Sequence, residues 1–238
     1  MRPGQLVGLD IYILLPKVTR KKHDFKHPNL VGREVAPVLP YSIVQEMMEM
    51  PGSKRLMIVR HPFDRLVSAF RDKLERKNGM YYNLYGKTIV EKYRGAALKK
   101  FGEEFFSAEN NFGALYNLGG ARTKELPSWW EFVQWILANG DHPERYDEHW
   151  KPMSLFCSVC TVPYNFILHF ENLEREEQLL VDLWNVSGIV SSRWENRNDR
   201  GLAKKEIRDG YLGLLDRKEV DQLYELYKDD FLLFGYTI

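Results

Sequence analysis

The stretch that most constrains this chain is Lys54–Glu75, KRLMIVRHPFDRLVSAFRDKLE. Leu56, Met57, Ile58 and Val59 form a short apolar run, long enough for a buried strand. Arg60 stands where that strand ends. Pro62 has no backbone N–H to lose and a φ already suited to a first helical turn, so it predicts a helix start. Phe63, Leu66, Val67, Phe70 and Leu74 then recur at helical spacing and make one apolar face. Ser68 falls inside that helix. A strand end, a cation and a helix N-terminus together suit a phosphate. The pattern also fits a core strand and a surface helix whose arginine is merely solvated.

The rest of the chain sets bounds around this segment. Its 238 residues fit a single domain, alone or with a small appended lobe, able to bury a sizeable core. Lysine plus arginine number 34 and aspartate plus glutamate 33, a net charge of +1, so nothing global argues for nucleic-acid binding. Two cysteines, Cys157 and Cys160, are no disulfide framework and too few for a structural zinc site. They pair locally in an oxidising lumen or stay thiols in a reducing one, and neither state makes them catalytic. Apolar runs such as Ile11–Leu15 fall well short of the roughly 20 residues of a membrane span. Met1–Asp10 lacks the cationic start and long apolar stretch of a signal peptide. One glycosylation sequon, Asn185-Val186-Ser187, is present.

Along the chain, Ile11–Leu15 reads as a buried strand closed by Pro16, with Lys17 following. Pro28, Pro37 and Pro40 argue against a long helix before Tyr41. Helices are expected over Tyr41–Met50 and Thr88–Phe101. The intervening Asn78–Gly86, rich in tyrosine and glycine, is expected to be a loop, as is Ser107–Thr123. Ser128 with Glu131 is a capping box opening a helix to Asn139-Gly140. Trp129, Trp130 and Trp135 on it fit a core better than a sugar platform. Tyr164–Phe170 is expected to be a buried strand, after which Glu171-Asn172-Leu173 opens a helix through Trp184. Ser187–Asp199 is expected to be a loop, flanked by or containing Arg193, Arg197 and Arg200. Asp216–Lys228 is the last expected helix. Strands separated by helical stretches indicate an α/β chain with a parallel sheet. No Walker GxxxxGK[ST] sequence occurs, which disfavours ATP hydrolysis.

RHPFDRLVSAFRDKLE closely resembles the 3′-phosphate-binding segment of the Golgi carbohydrate sulfotransferases, which sulfate chondroitin, dermatan and the HNK-1 glycan. His149-Trp150-Lys151-Pro152, the Cys157–Cys160 stretch and the tail Asp229–Tyr236 resemble the same family. The resemblance covers about residues 54 to 238 and a short piece at 11 to 18. It implies one carbohydrate sulfotransferase domain over residues 1–238, with the part before about residue 53 divergent. The implied fold is a P-loop-NTPase-like three-layer sandwich with a central parallel sheet.

The implied donor is 3′-phosphoadenylyl sulfate (PAPS), used without a metal. Arg60 and Ser68 match the positions that hold its 3′-phosphate. Leu15-Pro16-Lys17-Val18 resembles the start of the loop whose lysine contacts the 5′-phosphosulfate. From Thr19 to Phe25 the family pattern is not followed. The cluster Arg20, Lys21, Lys22 and Lys26 is either a solvated loop or a set of replacement cations. A glycan hydroxyl needs a base to take its proton, and histidine suits neutral pH. His149 is the candidate by resemblance, with Asp147 and Glu148 as alternatives or as groups that orient it. A packed, hydrogen-bonded histidine beside Trp150 is the competing reading. The implied acceptor is a glycan or proteoglycan, most readily N-acetylgalactosamine in chondroitin or dermatan, and no nucleic acid. The implied location is the Golgi, with membrane attachment through an anchor that this chain does not show. A fragment, a short form or a different location each accommodates that departure. The alternative function is a non-catalytic glycan- or PAP-binding relative that has lost the phosphosulfate loop.

Overall fold

The computed structural model describes residues 41–75, 79–103, 125–157, 159–160, 162–185 and 204–238. Lys17, the strand expected at Ile11–Leu15 and the loops expected at Ser107–Thr123 and Ser187–Asp199 lie outside them. The chain divides into two compact units between Val59 and Arg60 and again after Phe156 and after Ser187.

The first unit contains helix α1 (Tyr41–Glu49), strand β1 (Leu56–Val59), strand β2 (Phe166–His169) and helix α5 (Leu173–Trp184). β1 and β2 pair in parallel, with Leu56 opposite Phe166 and Val59 opposite His169. A parallel pair cannot be closed by a hairpin, so the whole second unit's sequence up to Phe156 is inserted in the crossover. Leu56, Leu168 and Leu180 form this unit's core, with Trp184 set edge-on to Phe166 at 5.2 Å. The continuous burial expected for β2 does not hold: Leu168 is buried and Ile167 is exposed. Successive strand side chains point to opposite faces, and the face carrying Leu168 is the one packed with Leu180 of α5. Arg55 ties the entry of β1 down by donating to the carbonyls of Met48 and Pro163. Cys157 is buried and Cys160 exposed, with no disulfide between them.

The second unit is helical. It contains α2 (Pro62–Lys73), α3 (Lys87–Phe101), α4 (Trp129–Ala138), α6 (Lys204–Leu212) and α7 (Arg217–Phe234). Pro62 does begin α2, and all five residues of its expected apolar face are buried. Phe70 packs between Trp129 and Phe132, each at 5.4 Å. Trp129 is fully buried and Trp130 nearly so, which makes them core residues. The stretch expected as a loop at Asn78–Gly86 is helical instead: a turn at Gly79–Tyr81 runs through a π-helical stretch, Tyr82–Gly86, into α3. α7 extends beyond the expected Lys228 to Phe234, where Gly235 ends it at φ +69°, a conformation that only glycine adopts without strain. Phe231 and Phe234 are buried, so their packing carries the helix past Lys228. Among the described residues no helix is long and apolar enough to cross a membrane.

Two capping boxes reach beyond their own helices. Ser128 Oγ accepts from Glu131 N while Glu131 accepts from Ser128 N at 2.6 Å. Arg94 of α3 donates to the same carboxylate at 2.6 Å and to the Leu126 carbonyl at 2.8 Å. Glu219 in the box opening α7 likewise accepts from Trp130 Nε1 at 2.7 Å and from Gln134 at 2.9 Å. Glu131 is fully buried, so removing it strands Arg94's charge beside the core. Glu131→Ala is expected to cost about 3–5 kcal/mol, against about 1 kcal/mol for Ser128→Ala, read as the change in urea unfolding midpoints.

Candidate active site

Arg60, Ser68 and His149 belong to the second unit. Arg60 is partly buried and directly precedes the His61 cap of α2. His61 Nδ1 accepts the Phe63 amide at 3.2 Å, and its Nε2 lies 3.0 Å from the Thr237 carbonyl. One amide of the helix start is therefore already satisfied by the chain itself. Asp64, also in the first turn, is buried and faces Arg208 of α6 at 3.6 Å. Its negative charge suits the helix N-terminus but repels an anion, and Arg208 offsets that repulsion. Ser68 is half-buried, one turn beyond Asp64 and one turn before Arg71, on one side of α2. Arg71 lies 3.7 Å from Glu75, which also accepts from Tyr211.

His149 sits in a segment with little regular structure of its own. After Tyr146 the chain turns through Asp147–Lys151 and then makes one helical turn, Met153–Phe156. Side chains from the helices hold its backbone. Arg65 of α2 donates to the carbonyls of Glu148 and Lys151, and Tyr227 of α7 donates to the carbonyl of Trp150. Asp230 of α7 accepts the amides of Met153 and Ser154, each at 2.7 Å. Trp150 is fully buried among Phe132, Trp135 and Tyr85. The helix carrying Ser68 and the segment carrying His149 are thus fastened to each other through Arg65.

Within the segment, His149 Nδ1 lies 2.6 Å from Asp147 Oδ1, which also accepts the His149 amide at 3.1 Å. A carboxylate can only accept, so Nδ1 carries the hydrogen of this bond. Tyr81 Oη is 3.1 Å from Nδ1, and its ring meets the imidazole edge-on at 5.5 Å. Tyr85 Oη donates to the other oxygen, Asp147 Oδ2, at 3.2 Å. Burial raises the Asp147 carboxyl, but the hydrogen bonds and charge of His149 and the Tyr85 bond outweigh it, and the carboxyl ends below its ordinary range. Burial first, and the Asp147 charge second, push Tyr81 and Tyr85 up to about 12, so both hydroxyls keep their protons. The His149 side chain is about a third exposed, at 31%, and so open to a reactant. A neutral histidine whose Nδ1–H is held by a carboxylate has its other ring nitrogen as the proton acceptor.

His149 is a packed, hydrogen-bonded histidine, and Asp147 is the group that holds its Nδ1. The sequence reading missed Arg65, Tyr85, Tyr227 and Asp230. Only the charge of Arg65 on an otherwise amphipathic helix gave a signal.

The Sulfotransferase family profile matches residues 20–237. Carbohydrate sulfotransferase 9 of Homo sapiens is 31% identical over 187 residues, covering 77% of this chain and 37% of that protein. Carbohydrate sulfotransferase 8 of Mus musculus is 30% identical over 185 residues, covering 77% and 40%. Carbohydrate sulfotransferase 11 of Mus musculus is 26% identical over 200 residues, covering 83% and 51%. The chain thus spans between 37% and 51% of the length of these relatives. No solved structure matches it significantly.

Asp147, held below its unfolded value, contributes stability that is present above that value and is lost as pH falls through the folded one. Asp147→Asn is expected to flatten the fall of stability with acid below about pH 4. Asp230→Asn keeps one acceptor oxygen for two buried amides, and is expected to cost about 1–3 kcal/mol in urea unfolding at neutral pH.

Proposed function

Because the chain belongs to the sulfotransferase family, we propose that it transfers a sulfuryl group from PAPS to a hydroxyl of a glycan. Arg60 and Ser68 hold the 3′-phosphate of the donor, and Lys17 approaches its 5′-phosphosulfate. The acceptor O–H lies against His149 Nε2. As the acceptor oxygen forms its bond to sulfur, its proton passes to Nε2. The bond from sulfur to the bridging phosphate oxygen breaks, and 3′-phosphoadenosine 5′-phosphate (PAP) leaves with that electron pair. Asp147, already accepting from Nδ1, stabilises the imidazolium so formed.

The observation that carries this reading is the Asp147–His149 pair, bonded at 2.6 Å, on a histidine whose side chain is 31% exposed. A binding relative without chemistry has no need of a histidine held in one tautomer. The parallel β1–β2 pair supports placing the chain in the three-layer sulfotransferase fold with a central parallel sheet, as a single domain. The acceptor we assign is N-acetylgalactosamine in chondroitin or dermatan, and the compartment the Golgi. A second reading, a PAP- or glycan-binding relative, draws on the departure from the family pattern after Val18.

A charge-assisted arginine–phosphate bond contributes roughly 1.5–3 kcal/mol, so Arg60→Ala is expected to weaken PAP binding at least about tenfold by calorimetry. Unchanged affinity would remove Arg60 from the donor site. His149→Gln is expected to lower kcat about 10²–10⁴-fold at unaltered PAP affinity, and full activity in that variant would remove His149 as the base.

A further inference from the structure

The stretch Tyr81–Gly86 is the most unusual backbone among the described helices, and it faces the Asp147–His149 pair. A π-helical turn admits one residue more than an α-helix, and such turns recur at functional sites. Tyr81 and Tyr85, four residues apart, fall on one face and stack at 6.1 Å. Their hydroxyls reach the two halves of one pair: Tyr81 the imidazole, Tyr85 the carboxylate. Gly86 is buried, and a Cβ there would stand 2.9 Å from the Tyr82 ring and 3.6 Å from Pro127. The turn therefore closes tightly only with glycine at its end.

We infer that this turn belongs to the transfer site, with Tyr85 a positioning residue that fixes Asp147 and, through it, the tautomer and orientation of His149. The inference rests on His149 being the base. The chemistry is simple. Asp147 has two oxygens, and a carboxylate free to rotate about its last bond presents either of them, or neither, to the imidazole. Tyr85 holds Oδ2 at 3.2 Å, so Oδ1 stays on Nδ1. The Tyr85 ring is itself held edge-on by Trp150 at 4.9 Å and Trp135 at 5.6 Å, so the hydroxyl has little freedom. The other charges around the pair are Glu148, Asp72 and Lys73. The two carboxylates act on Tyr81, and the Lys73 ammonium lies 5.1 Å from the centre of the Tyr81 ring. The Tyr85 bond also helps to hold the Asp147 carboxyl low, as expected of a donor to its charged form.

The test uses the full chain, isotopically labelled, with PAP, PAPS and desulfated chondroitin. Long-range ¹H–¹⁵N spectra report which nitrogen of His149 holds the proton, and carboxyl ¹³C shifts follow Asp147. Tyr85→Phe keeps the ring packing and removes only the hydroxyl. It is expected to mix the Nε2–H tautomer into a population that is otherwise Nδ1–H, and to move the Asp147 titration to higher pH. It is also expected to lower kcat about tenfold, with PAP affinity unaltered within about twofold, as befits loss of orientation rather than of binding. Gly86→Ala, which displaces the turn without removing a hydroxyl, is expected to give the same tautomer mixing. An unchanged tautomer in Tyr85→Phe overturns the inference, and so does a changed tautomer with undiminished kcat. If His149→Gln stays active, it is the base assignment that fails. If His149→Gln is inactive while the Tyr85→Phe spectra match the parent, the positioning role alone fails.

Discussion

The structure of the candidate site depends on side chains that hold a backbone. Residues 147–154 have one helical turn and no strand, so their geometry cannot come from a ladder of their own. It comes from Arg65, Tyr227 and Asp230, which satisfy carbonyls and amides that would otherwise be buried without partners. Asp230 is 1% exposed, and burial raises its carboxyl even though it accepts two amides. Keeping an acid there is costly. It is offset because the same two bonds fix where the chain turns after Trp150 and Pro152, and with it where His149 points.

On the donor side the constraint is different. α2 is fixed by its apolar face, and its start is fixed by a proline and a histidine cap. What remains on its polar side is a sequence of paired charges, Asp64 with Arg208 and Arg71 with Glu75, with Ser68 between them. Pairing keeps those charges in place at little net energy. Arg60 lies outside the helix, directly before its His61 cap. Arg65, on the same helix, ties this region to the His149 segment through the carbonyls of Glu148 and Lys151.

Much of this was legible in the sequence. The run Leu56–Val59, Pro62 and the spacing of Phe63, Leu66, Val67, Phe70 and Leu74 each state their element through a local rule, and the structure follows them. Ser128 with Glu131 did the same. Asn78–Gly86 was misread because its signals, glycine and tyrosine, favour loops when only local propensity counts. Packing of Tyr81 and Tyr85 against Trp150 overrides that preference. α7 outruns its expected end for the same reason, since Phe231 and Phe234 find a core. The partners tied by Arg65, Tyr227 and Asp230 were not legible, although the charge of Arg65 was a signal. These ties join residues about eighty positions apart, and no spacing rule spans that distance.

The central claim is that a carboxylate-oriented histidine and an arginine-held nucleotide serve one reaction, sulfuryl transfer. Its most direct test is to incubate the unaltered chain with ³⁵S-labelled PAPS and desulfated chondroitin, and to measure label in the polysaccharide against PAP released. Label and PAP appearing in equal amounts is the expected result. Tight binding of PAP with no label entering the polysaccharide, or any other glycan offered in its place, would contradict it.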